Sequence, residues 1–94
     1  MKRITFAEPL PGYRVRLRFD DGVEGVVDLS AEVGKGVFAA WKDVAHFKRV
    51  RIGEFGELLW DGEIDLCPDA LYMEVTGATV EQLFPNWKSE NVHA

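Results

Sequence analysis

The sequence predicts an α+β domain in which two consecutive antiparallel β-hairpins form a small sheet and one or two short C-terminal helices pack on one face. Three features predict it. Residues 13–20 alternate apolar and polar and run into Asp20-Asp21-Gly22. Residues 48–60 repeat that pattern around Glu54-Phe55-Gly56. Cys67-Pro68-Asp69 then opens a helical pattern that Gly77 closes.

The first hairpin can be registered from its side chains. Tyr13, Val15, Leu17 and Phe19 share one strand face, and Arg14, Arg16 and Arg18 share the other. A two-residue Asp21-Gly22 loop would set Phe19 against Glu24 and Val15 against Asp28, placing acids on the apolar face. A three-residue loop with Gly22 left-handed instead pairs Phe19 with Val23, Leu17 with Gly25, Val15 with Val27 and Tyr13 with Leu29. Only this register keeps one face apolar, because a one-residue slip inverts every side chain. It also sets Arg18 against Glu24 and Arg14 against Asp28. Residues 1–12 read as a lead-in, with Pro9 to Gly12 as a turn or an extended edge.

The segment after Leu29 reads as a connection, with a helical turn capped by Asp43 over residues 43–47. In the second hairpin a three-residue loop sets Ile52 against Leu58 and Val50 against Trp60. Pro68 suits a first helical position and Asp69 a first turn, and Leu71 and Val75 share one helix face. Thr79 with Gln82 fits a capping box for a second short helix that Pro85 stops.

The 94 residues suffice for one core, so residues 1–94 read as a single domain ending in a short helix and tail over 79–94. Eleven basic and sixteen acidic residues give a formal charge of −5, which weighs against nucleic-acid binding through general charge. One cysteine excludes an internal disulfide. No stretch approaches the roughly 20 apolar residues of a membrane span. Glu8, Pro9, Pro11 and Gly12 interrupt any leader-like apolar run, so a cytoplasmic location is expected.

Several residues together carry a resemblance. Phe19-Asp20-Asp21-Gly22, Gly25-Val26-Val27-Asp28-Leu29 and Gly36-Val37-Phe38-Ala39 stand in order, followed by Phe47 with Val50. Gly56, Trp60, Gly62-Glu63-Ile64-Asp65-Leu66 and Pro68-Asp69-Ala70-Leu71-Tyr72 continue the series. Over roughly residues 10–75 the chain resembles the bacterial family called domain of unknown function 2442. The resemblance implies a small bacterial α+β domain with no established activity. It also implies one of two settings: fusion to a helix-turn-helix domain, or a stand-alone chain beside a small partner, domain of unknown function 4160, as in a toxin–antitoxin pair. The few residues after Leu83 leave no room for a helix-turn-helix, so the stand-alone form is expected. Trp41 and Lys42 stand where the family often has a leucine and a polar residue.

Asp61, Glu63 and Asp65 alternate and could face a hard cation, but Leu66 and Tyr72 occupy the glycine and glutamate positions of a calcium loop. They read as turn chemistry and a solvated face. Cys67 and His46 lack an elbow turn and an orienting third residue, so Cys67 reads as a small, partly buried packing residue. Gly34-Lys35-Gly36 lacks the spacing of a phosphate loop and reads as a flexible turn. No catalytic residue, cofactor site or metal site is expected.

Two surfaces remain. Arg14, Arg16 and Arg18 could grip a phosphate backbone, but the proposed register places Glu24 and Asp28 opposite two of them. Trp41, Phe55 and Trp87 are candidate contact residues for a partner protein. The leading expectation is a non-enzymatic interaction module, the antitoxin-like member of a two-component pair. Nucleic-acid binding through the arginine stripe is the alternative. A homodimer through an unblocked sheet edge is compatible with either.

Overall fold

In the computed structural model, which describes residues 2–61 and 64–77, the chain is α+β, with two three-stranded antiparallel sheets and short helices. Strand β1 (Ile4–Leu10), β2 (Arg14–Phe19) and β3 (Glu24–Asp28) form a meander in that order. Short 3₁₀ segments over Ser30–Glu32 and Gly36–Lys42 lead to helix α1 (Val44–Phe47). Strands β4 (Arg51–Ile52), β5 (Leu58–Leu59) and β6 (Asp65–Leu66) form the second sheet, and helix α2 (Pro68–Thr76) follows.

The β2–β3 hairpin takes the register its side chains demand. Arg14 faces Asp28, Val15 faces Val27, Leu17 faces Gly25 and Arg18 faces Glu24. The Phe19 N–H donates to the Val23 carbonyl at 2.8 Å, closing a three-residue loop with Gly22 at φ 89°. The Leu29 N–H donates to the Tyr13 carbonyl at 2.8 Å, which extends the pairing. Ile52 faces Leu58 in the second hairpin. Asp43 caps α1 by accepting from the Ala45 N–H, and Gly77 follows the last turn of α2.

Residues 4–10 are not a lead-in but a third strand, pairing Phe6 with Arg18, Glu8 with Arg16 and Leu10 with Arg14. Two features conceal it in sequence. An irregular step between Ile4 and Phe6 breaks the alternation. Pro9 also looks like a breaker. Tyr13 and Phe19 both bond toward β3, so the odd-numbered backbone groups of β2 are spent there. Pro9, opposite Val15, therefore has its nitrogen directed away from β2, where no donor is required. Strand β6 was likewise unexpected; it pairs Leu66 with Leu58 and Asp65 with Leu59.

Ile4, Val15, Leu17, Phe19 and Val27 from the first sheet meet Leu58, Trp60, Ile64 and Leu71 in one core. Helix α2 packs against β3 at Gly25, where a Cβ would lie 2.4 Å from Val75 Cγ1. Trp41, Phe47 and Trp60 form the aromatic centre, with the Trp41 ring 4.8 Å from Trp60 and 5.1 Å from Phe47. Tyr13 stands edge-on to Phe47 at 5.1 Å and donates its hydroxyl to the Trp41 carbonyl at 2.7 Å. The Trp60 indole N–H donates to the Phe47 carbonyl at 2.8 Å.

A polar clasp joins three distant segments. The Tyr72 hydroxyl of α2 donates to Asp21 Oδ2 at 2.6 Å, and Lys2 Nζ reaches the same oxygen at 3.2 Å. The Lys2 ammonium also lies 4.6 Å above the Tyr72 ring. Hydrogen bonds from Tyr72 and from the Val23 N–H, with Lys2 beyond them, hold the Asp21 carboxyl down to about 2, against an ordinary 3.8. A folded-state value below the unfolded one stabilises the fold above the unfolded value and is lost as pH falls through the folded value. Tyr72→Phe should therefore move Asp21 up toward its ordinary value. It should also weaken the fold at neutral pH by an amount that vanishes once Asp21 is protonated. An NMR titration of the Asp21 carboxyl checks this; an unchanged midpoint in the variant would refute the clasp.

Candidate interaction surfaces

The arginine stripe lies on the open face of the first sheet, not in a cleft. Arg14, Arg16 and Arg18 form the central column, with Phe6, Glu8 and Leu10 of β1 on one side and Glu24, Val26 and Asp28 of β3 on the other. Arg16 and Arg18 each have a carboxylate within 4 Å, while Arg14 donates its Nε to the Pro11 carbonyl at 3.0 Å and has Asp28 opposite it on β3. Arg18 Nη2 is 3.4 Å from Glu24, and Arg16 Nη1 is 3.9 Å from Glu8. Asp28, opposite Arg14, has its carboxyl held below the ordinary range by hydrogen bonds from Ser30 and then by the Arg14 charge. These pairs are exposed and individually weak, about 0–1 kcal/mol each. Their consequence is a face with three positive and three negative charges rather than a positive field. Phe6 and Val26 are 40% and 47% exposed on it, and Arg18 sits 5.7 Å over the Phe6 ring.

Lys48, Arg49 and Arg51 form a second basic cluster, which is partly neutralised as well. Arg49 and Arg51 both bond Asp61, at 2.9 and 3.0 Å. Those hydrogen bonds lower the Asp61 carboxyl below its ordinary value. Of the acidic run, Asp61 is thus committed to two arginines, Asp65 is in β6 and Glu63 lies outside the described residues. His46 Nε2 contacts the Asp61 carbonyl at 3.0 Å, and neither His46 nor Asp61 lines the groove in which Cys67 lies.

The three candidate contact residues separate. Trp41 is fully buried and cannot serve as a contact residue. The 3₁₀ path of residues 36–42 turns its indole inward against Phe38, Phe47 and Trp60. Trp87 lies outside the described residues. Phe55 is 63% exposed at the tip of the β4–β5 turn. That turn is firmly held. The Gly53 N–H donates to the Glu57 carbonyl at 2.8 Å, and the Gly56 N–H to the Gly53 carbonyl at 3.0 Å. The Phe55 N–H donates to Glu57 Oε1 at 2.9 Å. Arg3 clamps it from the other sheet, donating Nη2 to the Glu54 carbonyl at 2.7 Å, while the Ile4 N–H donates to the Gly56 carbonyl at 2.9 Å. Gly56 is buried directly against Arg3, whose Cα would be 2.8 Å from an added Cβ. Phe55 is therefore an exposed aromatic on a pre-ordered support, with exposed Ile52 three residues before it.

Sequence reasoning missed a groove of about 410 Å³. Leu29, Phe38, Leu66, Ala70 and Leu71 supply apolar lining, Asp28, Glu32 and Glu74 supply carboxylates, and Cys67 opens into it. Cys67 is exposed rather than partly buried, because the burial at this helix start falls on Pro68 and Asp69. Asp69 accepts the Lys2 N–H at 2.8 Å. The available signal was the helical spacing of residues 67, 70, 71 and 74, which marks one stripe of α2.

The family can be stated once the meander, the second hairpin and α2 are in place. A family profile described as "Protein of unknown function (DUF2442)" matches residues 4–77. The chain belongs to the DUF2442 family. Its fold is similar to the crystal structure of NE0471 from Nitrosomonas europaea, a candidate DNA-binding protein, with a TM-score of 0.74 and 26% sequence identity. The similarity covers 100% of this chain and 63% of that one. No curated protein matches the sequence. No helix among the described residues is long and apolar enough to cross a membrane.

Proposed function

We propose that this DUF2442 chain is a non-catalytic protein-interaction module that uses Phe55 as its contact anchor. In the paired setting implied by the family resemblance, it is the protective, antitoxin-like member. The single observation behind this reading is the Phe55 turn. An aromatic 63% exposed on a turn clamped by Arg3 loses little conformational freedom on docking. Co-expression with the neighbouring gene product should give a complex that co-elutes at micromolar concentration. Phe55→Ala should weaken it by roughly thirtyfold, about 2 kcal/mol for a buried aromatic anchor, while leaving the fold intact. Separate elution of the wild-type chains would refute the reading.

A second reading, nucleic-acid binding, draws support from the description of the Nitrosomonas protein as a candidate DNA-binding protein and from the exposure of Arg14, Arg16 and Arg18. Two things weigh against it. The carboxylates beside the stripe offset its charge, and this chain spans only 63% of that protein, so the property need not belong to the shared part.

A further inference from the structure

The groove beside α2 goes beyond the Phe55 reading and rests only on its premise of a protein partner. Its lining combines an apolar floor with three carboxylates, and among the described residues no lysine or arginine lines it. The three acids are not equivalent. Asp28 accepts the Ser30 N–H at 2.9 Å and faces Arg14. Glu32 and Glu74 have no ion-pair partner among the described residues. They come from separate segments, the Ser30–Glu32 turn and helix α2. Two carboxylates from different segments around an apolar trough complement a ligand with an apolar stripe and flanking positive charge. A nucleic acid is the wrong sign, and a wholly apolar ligand would leave both acids to be desolvated without compensation.

We propose that this groove binds a basic amphipathic segment of a partner protein, seating apolar side chains over Phe38, Leu66 and Leu71 and placing lysine or arginine against Glu32 and Glu74. Helix-in-groove recognition supplies the general form: apolar anchors repeat along one face and basic residues flank them. The volume of about 410 Å³ suits a few side chains, so the segment contributes part of a larger contact.

Cys67 provides the readout, since it is the only cysteine of the chain and lines the groove. The probe is an amphipathic leucine–lysine peptide of about 14 residues, roughly four helical turns. It should slow maleimide labelling of Cys67 severalfold, and its leucine–glutamate counterpart should not. Glu74→Lys should raise the peptide concentration for half-protection by about tenfold, as expected when one close charge pair is reversed. Ala70→Trp should abolish protection by filling the trough. Both positions are exposed on α2, so the fold should survive, which circular dichroism verifies.

Equal protection by both peptides overturns the proposal. So does no protection at millimolar peptide, or a Cys67 already unreactive in the free protein because the chain's own residues cover it. The two readings fail separately. Loss of peptide protection with intact co-elution removes the groove and leaves Phe55. Peptide protection without any co-eluting partner does the reverse.

Discussion

Replacing Trp41 with alanine should cost roughly 3–5 kcal/mol of stability, the range for deleting a large aromatic from a packed core. That is a large fraction of the 5–15 kcal/mol typical of a small domain, so the variant should be largely unfolded under mild denaturant. The expectation follows from position. Trp41 is fully buried and touches Phe38, Phe47 and Trp60, while its carbonyl accepts the Tyr13 hydroxyl. Trp41→Phe should cost much less, because its indole N–H has no hydrogen-bond partner among the described residues. Phe55→Ala should leave stability within about 0.5 kcal/mol, as exposed positions usually do. Urea denaturation of the three variants separates the residues. Comparable losses at Trp41 and Phe55 would show that burial does not distinguish them as described.

Gly25→Ala should destabilise by roughly 1–3 kcal/mol, the range for forcing extra volume into a packed contact. The added methyl would fall 2.4 Å from Val75 Cγ1, so either β3 or α2 must shift. Pairing it with Val75→Ala removes the two nearest methyls and should recover part of the loss. A double-mutant cycle then gives a coupling energy of at least about 0.5 kcal/mol between neighbours in contact. Strict additivity would mean that α2 does not seat on β3 at this point.

The elements readable in the sequence were those where the alternatives carry a visible penalty. The 13–29 hairpin is one, since the one-residue slip to a two-residue loop would bury Glu24 and Asp28. Helix α2 is another, bounded by Pro68 and Gly77. Strand β1 was hidden because an edge strand tolerates both Pro9 and an irregular step. Strand β6 was hidden because two residues carry no period. Trp41 was misplaced because residues 36–42 wind as a 3₁₀ segment, in which positions three apart fall together. Phe38 and Trp41 thereby share a side, which strand alternation does not show.

Among the surfaces, Phe55 was legible as a turn tip, and the charge compensation of Arg14 and Arg18 followed from register. The partner of Arg16 was not legible, because Glu8 belongs to the unrecognised β1. Only the α2 wall of the groove carried a sequence signal, for a related reason. The groove's walls come from residues 28–32, Phe38 and 66–74, which only the tertiary fold assembles.

The most direct test of the charge-balanced sheet face is duplex DNA binding measured by fluorescence anisotropy across a salt series. Binding should be absent at moderate salt, and Arg16→Glu should change nothing. Tight binding that falls steeply with salt and is lost in Arg16→Glu would contradict it, and would make the arginine stripe the working surface of this protein.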